Sequence, residues 1–147
     1  MLRRLALVLA LVVAACSTPI AGMSTPAGPA QIPSTAIDLG NWRAGNEGAT
    51  QSAFQRGINS RYAAGAAITT IAADLRRNRF ACAAPPRDLA DNRGAPPVQV
   101  CRHVVTAQGC THTWQVHLFD NMGDRRLART RSLFDRRCGD EGLLGGP

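Results

Sequence analysis

Cys16, Cys82, Cys101, Cys110 and Cys138 are the five thiols of this 147-residue chain, and their surroundings divide them into one and four. Cys16 follows Arg3-Arg4 and an uninterrupted apolar run from Leu5 to Ala15 that ends in the small residues Ala14 and Ala15. A basic stretch, a short apolar stretch and small residues at a cut site make a secretory signal over residues 1–15, too short to span a bilayer as a helix. By itself, Cys16 reads either as a free thiol just past such a signal or as part of an uncleaved anchor. Export leads to a compartment that favours disulfides, so the even set Cys82, Cys101, Cys110 and Cys138 is expected to form two of them. A zinc site is a poor alternative, because the gaps between successive members are 18, 8 and 27 residues rather than two to four.

His103, His112 and His117 are the other groups suited to metal or proton chemistry. His112 and His117 differ by five positions and so point to opposite faces of one strand. Surface or partly buried histidines without a role are the expectation, and no metal or cofactor is expected. The chain has no Gly-x-Ser-x-Gly elbow, and once the disulfides form no cysteine nucleophile remains in the domain. An enzyme is therefore not expected.

All 17 basic residues are arginine, against 10 acids, for a net charge of +7. Removing residues 1–15 takes Arg3 and Arg4 away and leaves 132 residues at +5. Arginine has GC-rich codons, so arginine in place of lysine is the expectation for a GC-rich genome and by itself calls for no function. A positive surface inside a cell suggests nucleic acid, but export removes that partner and leaves lipopolysaccharide, anionic phospholipid and acidic proteins.

Several elements must position these groups. Residues 16–37 are rich in Ser, Thr, Pro, Ala and Gly and read as a disordered tether, and 38–48 as an irregular segment around Trp42. Residues 49–139 form the expected domain, and 140–147 a flexible tail. Thr50 is the expected N-cap of a helix of about ten residues that turns Ala53, Phe54, Gly57 and Ile58 to one face. Between Ala66 and Arg79, Ile68, Ile71, Ala72 and Leu75 make the clearest amphipathic stripe, with Arg76, Arg77 and Arg79 complementing the dipole in the last turn. Phe80 and Cys82 lead out to a proline-rich loop.

The period then becomes two. Strands are expected at 98–105, 112–119 and 126–134, the last two joined by a turn at Asp120-Asn121-Met122-Gly123-Asp124. On the third strand Ala128, Thr130, Ser132 and Phe134 are expected to face inward, and Leu127, Arg129, Arg131 and Leu133 outward. Arg129 and Arg131 are thus the candidate binding residues, although an arginine pair on a sheet is usually a solvated surface. The fold class is α+β: two short helices packed on a three-stranded antiparallel β-meander. The expected core is Phe54, Ile58, Ile68, Ile71, Leu75, Trp114, Val116, Leu118 and Phe134. A hairpin about residues 122–123 brings position 110 opposite a residue near 135, which points to Cys110–Cys138 and leaves Cys82 for Cys101. Cys101 with Cys110 also closes easily.

Val13-Ala14-Ala15-Cys16 resembles the lipobox of bacterial lipoproteins. The resemblance implies cleavage before Cys16, a diacylglyceryl thioether on its sulfur and a fatty acid such as palmitate on its amino group. It also implies a membrane partner held through lipid. Ser17, where an aspartate would argue for the inner membrane, implies the periplasmic face of the outer membrane.

The order of two helices and three strands behind a tether resembles the small SmpA/OmlA-type outer-membrane lipoproteins, and is similar to one repeat of the β-lactamase inhibitory protein. The residues that carry this are Ala64-Gly65-Ala66, the helix ending at Leu75 and Phe80, Trp114 in the middle strand and Gly123 in the turn. Two disulfides and an arginine-rich third strand depart from the assembly-lipoprotein pattern. The expectation is a non-enzymatic interaction or assembly module acting on an envelope protein. The alternative is an exported inhibitor, or a module binding an anionic envelope component through Arg129 and Arg131.

Overall fold

A computed structural model describes residues 31–85, 96–121 and 123–139. The expected signal at 1–15, Cys16, the tether up to residue 30 and the tail at 140–147 lie outside the described residues. The elements are a 3-10 turn (Trp42–Ala44), α1 (Glu47–Arg61), α2 (Ile68–Arg77), β1 (Ala81–Ala83), β2 (Gln99–Ala107), β3 (Cys110–Asp120) and β4 (Leu127–Cys138). The strands form one antiparallel sheet in the order β1-β2-β3-β4. The class is α+β, with four strands where three were expected. β1 is only three residues long, too short to register a period of two.

α1 begins earlier than expected because Asn46, not Thr50, is its N-cap: the Asn46 side chain accepts from the Ala49 amide at 2.9 Å. Thr50 is buried one turn in, and its hydroxyl donates to the Asn46 carbonyl. α2 ends in a Schellman motif. Arg79 takes the left-handed conformation at φ 67°, its amide reaches the Arg76 carbonyl, and the Phe80 amide reaches Leu75 at 3.0 Å. Arg79 therefore lies beyond the last turn, and only Arg76 and Arg77 complement the dipole there.

β2 and β3 join through Gln108 and Gly109, both at positive φ, a tight hairpin with a two-residue loop. A register shift between Phe119 and Asp120 disturbs the next pairing. That irregularity turns Leu127 inward, contrary to the alternation expected for the third strand, and Leu127 is buried while Ala128 is exposed. Beyond it, Thr130, Ser132 and Phe134 share the inner face through their pairing with Leu118, Val116 and Trp114.

The core lies between this inner face and the helices. Phe54, Ile58, Ile68, Ile71, Leu75, Trp114, Val116 and Leu118 are all but fully enclosed, and Phe134 packs against them half-buried. Residues 32–42 belong to the same body. Ile37 and Trp42 are buried, the Ile37 amide donates to Asn78 Oδ1, and Trp114 Nε1 donates to the Leu39 carbonyl at 3.0 Å. Residues 32–37, expected as the end of a disordered tether, are packed instead, because their apolar side chains find cover on the core.

Gln51 closes the outer edge of β4. Its side-chain amide donates to the Ser132 carbonyl at 2.7 Å and accepts from the Phe134 amide, as a neighbouring strand would.

Candidate functional site

The central strand β3 separates two chemical environments by simple alternation. Its inner side carries Cys110, His112, Trp114, Val116 and Leu118, and its outer side Thr111, Thr113, Gln115, His117 and Phe119. Helices cover the first set. The outer set is flanked on β2 by Arg102 and Val104 and on β4 by Arg129, Arg131, Leu133, Asp135 and Arg137.

Four arginines on this face thus meet one carboxylate among the described residues. Asp135 is held by Arg137, with Oδ2 3.0 Å from Nε, and both are exposed. Arg129 lies over the Phe119 ring with its Cζ 3.5 Å from the centroid, and shields that ring to 7 % exposure. Arg131 stands directly opposite His117, and Arg102 directly opposite Gln115. Gln115 Oε1 accepts from Arg102 Nη2 at 3.4 Å and lies 3.5 Å from His117 Nε2.

Burial holds the His117 imidazole below its ordinary pKa, and the charges of Arg131 and Arg102 add to the effect. The imidazole is therefore neutral at pH 7, a polar floor between two fixed cations. Arg129 and Arg131, the two candidates read from the sequence, come together here. Arg102, Gln115 and His117 join them from strands whose pairing no local pattern announces.

The other histidines sit on the inner face. His112 is buried against Trp42, with ring centroids 4.6 Å apart, and near Trp114 and Phe134. His103 places Nδ1 3.0 Å from the Arg79 carbonyl and packs against Phe80 and Trp114. Among the described residues, no three His, Cys, Asp or Glu side chains gather into a cluster able to hold a metal ion.

The four domain cysteines pair as Cys82–Cys101 and Cys110–Cys138. Each pair joins directly opposed residues of neighbouring strands, β1 with β2 and β3 with β4. Cys110–Cys138 shuts the open end of the last hairpin, and Cys82–Cys101 holds the short β1 on the sheet.

One charged cluster has only a faint signature in the sequence, the i, i+3 spacing of Asp74 and Arg77 on α2. Asp74 is 1 % exposed on α2, and its carboxylate accepts from Arg61 Nε at 2.7 Å, the Tyr62 hydroxyl at 2.7 Å and Arg77 Nη2 at 2.6 Å. Burial is the largest single influence on Asp74 and opposes its ionisation. The hydrogen bonds from Arg61, Arg77 and Tyr62 together outweigh it and hold the pKa at about 2. The same enclosure, with the Asp74 bond, pushes the Tyr62 phenol upward. Arg61 Nη2 also donates to the Pro33 carbonyl at 2.7 Å, so this cluster pins residues 33–37 to the helix layer. It is a structural lock.

No family model, curated protein or solved structure matches this chain. Among the described residues, no helix is long and apolar enough to cross a membrane.

Proposed function

We propose that this protein is a non-enzymatic, lipid-anchored envelope module that engages another protein through the outer face of its sheet. The observation that carries the reading is the disposition of charge on β2 and β4. Arg102, Arg129, Arg131 and Arg137 stand on a sheet face that neither helix covers, with Asp135 as the counter-charge. Exposed arginines on a rigid, disulfide-tied sheet are pre-organised for contact, since little backbone freedom is lost when they bind. A domain of this size has room for one ordinary interface, about 800 Å² per partner.

Anchoring through Cys16 rests on the lipobox-like Val13-Ala14-Ala15-Cys16 behind Arg3-Arg4 and the apolar run. Ser17 supports the outer membrane, periplasmic face, as the site of anchoring. Several buried acyl chains, at about 0.8 kcal/mol per CH₂, hold a protein to a bilayer without a spanning helix.

Intact mass of the membrane-extracted protein, with and without reduction and alkylation, tests the anchor beside Cys16→Ser. A chain beginning at Cys16 with acyl additions supports it. An unacylated chain in its native host overturns it.

A further inference from the structure

The outer sheet face has a period as well as a charge. Arg129 and Arg131 alternate along β4, with Leu133, Asp135 and Arg137 continuing the row, and Arg102 stands two strands across on β2. Alternate side chains on one strand recur about every 6.8 Å. That is also the repeat of alternate side chains on any extended polypeptide laid alongside.

We propose that this face binds an acidic, extended segment of a partner protein, with carboxylates at alternating positions over Arg129 and Arg131 and the segment crossing toward Arg102. The proposal rests on the reading of this face as the contact surface, and names what it contacts.

Three observations favour a polypeptide over the other occupants. Phosphate headgroups in a bilayer have no fixed repeat to match the rows, whereas an extended chain shares the strand's own. Pro33 and Ile37, among the described residues that stand toward Cys16 in sequence, are held on the helix layer by Arg61 and Asn78, on the side of the sheet away from its outer face. A second copy of this chain would set one arginine-rich face against another, since a two-fold contact pairs like with like. An acidic segment avoids that repulsion.

The face has contacts for more than charge. Half-buried Leu133 and exposed Val104 give apolar area between the cations. A shallow depression bounded by Arg102, Thr113, Gln115, Asp135 and Arg137 continues the row toward the β2–β3 turn. Half-buried Gln115 offers hydrogen bonds to the backbone or side chains of the occupant.

The test is fluorescence anisotropy with the detergent-extracted full chain and a labelled synthetic peptide of alternating Glu and Ser. The Gln-Ser counterpart and phosphatidylglycerol vesicles serve as the other probes. The Glu peptide should bind and the Gln peptide should not. Charge reversal in R129E/R131E should weaken binding by about tenfold or more, while R56E on the exposed side of α1 leaves it within about twofold. Unaltered circular dichroism of R129E/R131E secures the comparison, and R129Q/R131Q replaces it if the reversal does not fold.

Equal binding by R129E/R131E and the parent, or equal loss in R56E, overturns the proposal. Vesicle binding that depends on Arg129 and Arg131, without peptide binding, also overturns it but leaves this face as the contact surface. The mass measurement on Cys16 decides the anchor separately from all of these.

Discussion

Arg129 lies over Phe119 with its guanidinium carbon 3.5 Å from the ring centroid, so a cation forms the roof of an aromatic side chain on the sheet face that the helices leave bare. The contact stabilises by about 0.5–1 kcal/mol, since water still reaches the guanidinium. Arg129→Ala should lower the unfolding free energy by no more than about 1 kcal/mol, whereas Phe119→Ala should cost about 3 kcal/mol through lost apolar burial. Urea unfolding of both variants checks the ordering. A larger cost for Arg129→Ala would mean that the arginine is a packing residue rather than a free surface cation.

Asp74 makes stability depend on acid. Its pKa falls from 3.8 to about 2 on folding, so the unfolded chain binds the proton more readily. The stabilisation is fully present above pH 4 and is lost as pH falls from 3.8 toward about 2, an effect of about 2 kcal/mol. Asp74→Asn should remove that slope and cost about 3–5 kcal/mol at pH 7, because Arg61 is left buried without its partner. Denaturant midpoints at pH 7 and near pH 2 for the two proteins are the measurement.

His117 acts over a different range. Its folded pKa lies below the usual 6.5 because burial, Arg131 and Arg102 all oppose the charged imidazole. The unfolded chain therefore takes up the proton first, and stability declines as pH falls below 6.5. His117→Gln should flatten the stability profile between pH 7 and pH 5. A profile that keeps its slope in the variant would assign the titration to another group.

The disulfides close loops with sequence separations of 19 and 28 residues. Chain entropy makes each stabilise by about 3 kcal/mol, slightly more for the longer loop. Removing Cys110 and Cys138 together as alanines should therefore destabilise at least as much as removing Cys82 and Cys101. The second pair of substitutions should also free β1 from the sheet edge, read as faster amide exchange at Ala81 and Ala83. Protection unchanged at those amides would show that hydrogen bonding to β2 alone retains the strand.

Periodicity along the chain was sufficient for the presence of both helices and of the three meander strands and for the part of the core that they carry, because each depends on spacing within a few residues, but it missed Ile37, Trp42, Tyr62, Phe80, Cys101 and Leu127. Ile68, Ile71 and Leu75 repeat at helical intervals and are buried, and Trp114, Val116 and Leu118 alternate and are buried. The outward setting of Arg129 and Arg131 was legible for the same reason.

Tertiary structure alone decided the remainder. β1 exists because β2 offers it hydrogen bonds, Leu127 turns inward because a register shift reverses the alternation, and residues 32–42 fold because their apolar side chains meet a core made elsewhere. Asp74, Arg61, Tyr62 and Arg77 look like ordinary surface residues in sequence; helical spacing joins Asp74 to Arg77, and only the packing of α1 on α2 brings Arg61 and Tyr62 to them. Arg102, Gln115 and His117 reach the arginine face from separate strands in the same way. Away from such register shifts, local pattern sets which face a side chain takes, whereas what it faces depends on contacts between residues far apart in the chain, which no short stretch encodes.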